Sequence, residues 1–141
     1  MKCDFDRRKS LQELEQEAWG EPAFDSHLVT TVHQLRRKAL AEFTVEELRI
    51  LIGQNVSLPF LIPLALERLA EDPLAEGDFY PGDLLYAVLH VDEAFRAGHP
   101  EVVQRVCKIV ERVRALLPSL DVSDRPKVAE LLREASHLLK E

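Results

Sequence analysis

The sequence predicts an all-α protein: a single compact domain spanning residues 1–141, with six or seven helices packed around a central apolar helix. Three observations carry that prediction. Apolar residues recur at spacings of three and four in stretch after stretch, and no segment alternates with period two for long enough to make a strand. Two capping boxes, Ser10-Leu-Gln-Glu13 and Thr44-Val-Glu-Glu47, announce helix starts. The segment 58–69 is nearly all apolar, so a helix there buries most of its circumference and other helices must surround it. A chain of this length can bury about 70% of the surface its unfolded form exposes, so it needs no disulfide or metal to stay folded.

Each element follows from local chemistry. Ser10 opens a helix that runs to about residue 19, with Leu11, Leu14 and Ala18 inward; Gly20 and Pro22 end it. Asp25 or Ser26 caps the second helix, whose stripe is Leu28, Val32, Leu35 and Ala39. Arg36, Arg37 and Lys38 fall in its last turns, where cations complement the helix dipole. Thr44 starts the third helix, which reaches about residue 52 before Gly53 and Asn55 stop it. Ser57 is the expected cap of the apolar helix, and Pro59 suits its first turn. Pro63 lacks the N–H that would bond back to residue 59, so a kink is expected, or a start displaced to residue 62 or 63.

Asp72-Pro73 closes that helix. Residues 74–83 bridge to the next, with Pro81 suited to its first position and Leu84, Leu85, Val88 and Leu89 as its apolar face. His99-Pro100 starts a long helix with Val103, Val106, Cys107, Val110, Val113 and Leu117 as its stripe, and Pro118 ends it. Ser123 or Asp124 caps the last helix, where Val128, Leu131, Leu132, Ala135, Leu138 and Leu139 face inward.

Charge is distributed unevenly. Residues 1–45 carry 7 basic and 8 acidic groups, residues 46–101 carry 3 and 11, and residues 102–141 carry 8 and 6. Between residues 71 and 93 there are seven carboxylates and no lysine or arginine. Phosphate binding needs clustered cations, so nucleic acid is not the expected direct partner. A basic protein partner suits this middle third, because the potential would steer encounter.

Other classes find little support. The longest apolar run, residues 58–66, has nine residues including two prolines, too short for a bilayer, and the N-terminus has no apolar signal segment. The expected location is cytoplasmic, with no membrane partner. Cys3 and Cys107 have no metal or redox spacing, and the five histidines match no ligand motif. No cofactor is implied, and no nucleophile motif or phosphate loop appears. Glu76 and Asp78 could form an acid/base pair, but neighbouring loop carboxylates are more simply solvated, so the chain reads as a non-enzyme.

The bridge Gly77-Asp78-Phe79-Tyr80-Pro81-Gly82-Asp83 sets two aromatics among carboxylates. Its rings can fold inward over helix ends while Asp78 or Asp83 satisfies nearby N–H groups. It can equally present an acidic docking surface anchored by an aromatic. The two readings are compatible.

LQELEQEAWGEP (11–22), LVTTVHQLRRKAL (28–40), FTVEELRILIGQN (43–55), LIPLALERL (61–69) and PLAEGDFYPGDLLYAVL (73–89) together resemble a family of immunity proteins from bacterial contact-dependent growth inhibition systems. GDFYPGDLL preceded by LRILIGQN is the most specific part, and the C-terminal third carries no matching motif. The resemblance implies binding, inside the cell, of the toxic C-terminal domain of a surface adhesin delivered by a neighbouring sibling, without enzymatic activity. Many such toxins are nucleases with basic clefts, and an acidic surface can stand in for the nucleic-acid backbone. The expected contact residues are Asp72, Glu76, Asp78 and Asp83, with Tyr80 as apolar anchor. Arg105, Lys108, Arg112 and Arg114 along the long helix form a rival surface. The alternative role is a small helical adaptor or regulator that binds an endogenous protein.

Overall fold

The computed structural model describes residues 5–16 and 27–139. Among these, eight α-helices follow in order: α1 (Leu11–Glu15), α2 (His27–Leu35), α3 (Val45–Gly53), α4 (Leu58–Glu71), α5 (Asp83–Leu89), α6 (Glu93–Gly98), α7 (Pro100–Leu116) and α8 (Arg125–Leu139). Two 3-10 turns lie at Leu40–Glu42 and Leu117–Ser119. The described residues contain no strand, only an isolated antiparallel bridge between Ser10 and Ala39. The all-α expectation holds. Against the six or seven helices expected, the described residues form eight, the short α6 filling the link before α7.

Both capping boxes form as the spacing requires. Ser10 and Thr44 each accept from the N–H of the glutamate three residues on, and Glu13 and Glu47 each accept from the N–H of the cap. The first helix nevertheless stops at Glu15, because Gln16 takes the left-handed conformation (φ 54°). Ala18, Gly20, Pro22, Asp25 and Ser26, the expected inward, stop and cap residues of this region, lie outside the described residues.

α4 is as apolar in place as in sequence: Leu58, Leu61, Ile62, Pro63, Leu64, Ala65, Leu66 and Leu69 are all buried. It packs on α3, α5 and α7. α3 also packs closely on α5, α2 leans on α3, and α8 is held by α7 and α5. The buried side chains of all these helices join one apolar cluster. The displaced start expected from Pro63 does not occur, since the helix begins at Leu58. The carbonyl that Pro63 leaves without its helical donor belongs to Pro59, an exposed first-turn residue where solvent can serve it.

Ser57 does not cap α4 through its side chain. Its backbone is left-handed (φ 51°), and its hydroxyl donates instead to Glu15 Oε2 at 2.9 Å. Arg36, just past α2, is 2% exposed and forms an ion pair with Glu15. Its guanidinium also reaches the Ser57 hydroxyl, at 3.4 Å. The three residues thus clamp the N-terminal segment to the junction before α4. Arg7 reinforces it by donating to Glu67 of α4 at 2.9 Å, and Phe5 packs edge-on against Phe60.

Two smaller boundaries move. α5 begins at Asp83 with Gly82 as its cap, so Pro81 precedes the helix rather than opening it. Ala39 lies beyond α2, paired with Ser10. On α7 the fully buried line is Val102, Val106, Ile109, Val110 and Val113, with Val103 and Cys107 half-buried at its edge. A helix that must face both α4 and α8 buries a wider sector than a single stripe. Among the described residues no helix is long and apolar enough to cross a membrane.

Candidate functional site

The acidic bridge between α4 and α5 is built around one buried carboxylate. Asp83 is 2% exposed; its Oδ1 accepts from Gly77 N at 2.7 Å and its Oδ2 from Phe79 N at 3.1 Å. The bridge thereby folds back on the first residue of α5, where a negative charge also suits the helix dipole. Gly82 completes the turn with φ 92°, a conformation that disfavours a side chain. Its N–H donates to Leu74 O at 3.2 Å, and a Cβ there would lie 2.9 Å from Leu131 Cδ2 of α8.

α3 supplies the second support. Glu46 Oε1 accepts from Asp78 N at 3.0 Å and from Arg49 Nε at 2.6 Å. The Arg49 guanidinium holds the Glu46 carboxyl below the usual glutamate range; burial opposes this, and the Asp78 N–H adds to it. Arg49 Nε also lies 3.9 Å from Asp83 Oδ2, and its guanidinium carbon sits 4.5 Å from the centre of the Phe79 ring. Glu46 comes so close that a Cβ on Gly77 would fall 2.4 Å from its Oε1 and 3.2 Å from its Cα. A side chain there would push the Glu46 carboxylate away from Arg49 and the Asp78 N–H. Two backbone N–H groups on Asp83, one on Glu46 and a cation on Phe79 make this loop a fixed shape.

The expected contact residues therefore separate into two groups. Asp72, Glu76 and Asp78 are exposed, and Asp72 Oδ1 additionally accepts from Leu74 N at 3.0 Å. Asp83 does not present its carboxylate outward, which corrects the expectation for that residue: its oxygens are committed to the loop's own N–H groups. Tyr80 is half-buried, its ring edge-on to Tyr86 at 6.5 Å. The ring that stands in solvent is Phe79, 67% exposed, so the apolar anchor expected at Tyr80 has a more accessible neighbour. Nothing in the sequence singles out Glu46 and Arg49, which look like an ordinary pair three apart on a helix.

The rival basic surface is partly consumed by the fold. Arg112 donates to Ala70 O at 2.7 Å; Arg114 pairs with Glu111 and donates to Ser136 at 2.8 Å. Arg105 and Lys108 remain exposed beside Leu66, Ala70 and Ile109, around a shallow depression of about 270 Å³. Among the described residues no group of His, Cys, Asp and Glu side chains is arranged to hold a metal ion.

The described helices form a bundle that displays an acidic loop, whose deeply buried carboxylate is spent on the loop's own N–H groups. The chain matches the family of CDI (contact-dependent growth inhibition) immunity proteins over residues 13–106, two thirds of its length, and belongs to that family. Members are non-enzymatic toxin inhibitors, and membership implies a cognate CDI toxin as the protein partner. No curated protein and no solved structure matches the chain.

Proposed function

We propose that this chain binds the toxic C-terminal domain of its cognate adhesin in the cytoplasm and neutralises it by covering the active site. The contact is made by Asp72, Glu76 and Asp78 together with the exposed Phe79 ring, and Asp83 and Tyr80 hold that surface in shape. One observation carries this reading. The exposed carboxylates lie in a stretch, residues 71–93, without a single lysine or arginine, on a loop whose backbone is pinned from α3 and α5. A preformed loop loses little conformational freedom on binding, so its charge and its exposed ring are available as affinity. Its sign suits a basic cleft, and a nuclease toxin is the class that needs one.

The test is co-expression of the tagged chain with the toxin domain encoded beside it, followed by affinity measurement on the purified pair. The wild-type chain is expected to form a stable complex and restore growth. Glu76→Lys with Asp78→Lys is expected to weaken binding at least tenfold, about 1.4 kcal/mol, with unchanged helicity. Unchanged affinity rejects this surface. Two folded proteins that neither associate nor protect reject the neutralising role for that toxin.

A further inference from the structure

Next to the acidic loop, α5 and α8 enclose a groove of about 170 Å³ lined by Tyr80, Tyr86, Lys127, Glu130, Leu131 and Glu134. We propose that this groove receives an arginine or lysine side chain of the toxin, with Tyr80 and Tyr86 as its aromatic faces and Glu130 and Glu134 as its counter-charges. The proposal rests on the toxin-binding reading above and extends that interface from the loop onto α8.

Three features of the groove argue for a cationic guest. Its aromatic side is assembled in advance: Tyr80 meets Tyr86 edge-on at 6.5 Å, and Tyr86 lies against the His90 ring at 4.1 Å while 37% exposed. The groove already accepts a cation of its own, for Lys127 Nζ sits 4.6 Å from the centre of the Tyr80 ring. Its carboxylates are weakly engaged: among the described residues, Glu130 approaches Lys127 only at 4.0 Å and Glu134 approaches His90 only at 3.6 Å. Both separations are too long for hydrogen bonds. By contrast, the carboxylates of Asp83 and Glu46 are fully occupied. Burial pushes the Tyr80 hydroxyl above the usual phenol range, with smaller contributions from Tyr86, Asp83 and Glu134 and an opposing one from Arg49.

A guanidinium suits this arrangement because it can stack on a ring and donate to carboxylates at the same time. The groove is also composite. Tyr80 and Tyr86 fall inside the stretch matched to the family, whereas Lys127, Glu130 and Glu134 fall outside it. A platform from the matched stretch with one wall outside it is a place where partner choice can be set.

Lys127 makes the proposal testable in both directions, because it competes for the same ring. With the cognate toxin domain as the probe, Glu130→Gln with Glu134→Gln is expected to weaken binding at least tenfold. Lys127→Ala is expected to tighten it severalfold by vacating the Tyr80 face and removing a like charge. Lys127 and Glu130 are exposed and Glu134 is half-buried, so unchanged thermal unfolding serves as the folding control. Weaker binding by Lys127→Ala, or no effect of the paired glutamine variant, overturns the groove. If the loop variants still weaken binding in that case, the toxin-binding surface stands without it. A wild-type chain that binds no toxin overturns both readings.

Discussion

Replacing Asp83 by alanine tests the most specific structural claim, that the loop is held from inside. The carboxylate makes two charge-assisted hydrogen bonds, at 2.7 and 3.1 Å, and is 2% exposed. Bonds of this kind contribute roughly 1.5–3 kcal/mol each. The two do not add fully: Phe79 is exposed, so its N–H can be rehydrated, whereas Gly77 is half-buried and wedged against Glu46. The expected loss is therefore about 3 kcal/mol, against a total stability of roughly 7–20 kcal/mol for a chain of this length. The variant should fold but melt about 10 °C lower. Asp83→Asn is expected to recover less than half of that loss. Its amide oxygen can still accept one N–H, but its NH2 group meets the other N–H donor to donor, and the charge beside Arg49 is gone. Thermal unfolding followed by circular dichroism gives the stability, and hydrogen exchange at the Gly77 and Phe79 amides locates the loss. A melting shift under about 2 °C, with the protection of both amides unchanged, would refute the claim that Asp83 organises the loop.

Two further outcomes follow from the ion pairs. Arg49 holds the Glu46 carboxyl below its ordinary value near 4.5, so the stabilisation is complete above that pH and is lost as pH falls through the lowered folded value. The stability difference between wild type and Glu46→Gln should accordingly be largest near pH 7 and shrink below pH 4.5 in urea titrations; a difference that grows on acidification contradicts the pairing. For the Arg36 clamp, Glu15→Gln removes a carboxylate while the charge on Arg36 stays buried, and is expected to cost roughly 1–3 kcal/mol. Arg36→Met removes the charge, fills the space and leaves Glu15 at the surface edge, so it should cost less than half as much by urea unfolding. The reverse order would place the arginine in solvent.

Contacts made within a few residues are legible in the sequence, and contacts made across the fold are not. The capping boxes at Ser10 and Thr44 need only a glutamate three residues on, and both form. The inward role open to Asp83 is of the same local kind, because its acceptors serve N–H groups four and six residues back. Arg36 is the opposite case. In sequence it is indistinguishable from Arg37 as a cation after a helix, and what buries it is Glu15 and Ser57, each 21 residues away. Ser57 departs from its expected capping role for the same reason: its hydroxyl has a better partner than the helix it precedes. Phe79 and Tyr80 are equivalent by composition. Arg49, on another helix, covers one face of the first without burying it, and α5 and α8 enclose the second.

This division bears on how an immunity protein can keep its fold and still acquire a particular toxin. Within Gly77-Asp78-Phe79-Tyr80-Pro81-Gly82-Asp83, the members whose replacement costs the loop its shape are those facing inward: Gly77 for its closeness to Glu46, Gly82 for its backbone angle, Asp83 for its two acceptors. Asp78 takes part through its backbone N–H, and Phe79 through its N–H and one ring face, so the side chain of Asp78 and the outer face of Phe79 remain at the surface. The hydrogen bonds that hold this loop do not use the side chains of Glu76 and Asp78. On the proposed contact, the partner can be altered at those two positions without a stability cost comparable to that of losing Asp83. The proposed groove on α8 adjoins the loop through Tyr80, whose ring packs on Tyr86 and Lys127. On that proposal, changes at Glu130 or Glu134 re-tune recognition next to the loop without disturbing the hydrogen bonds that hold it.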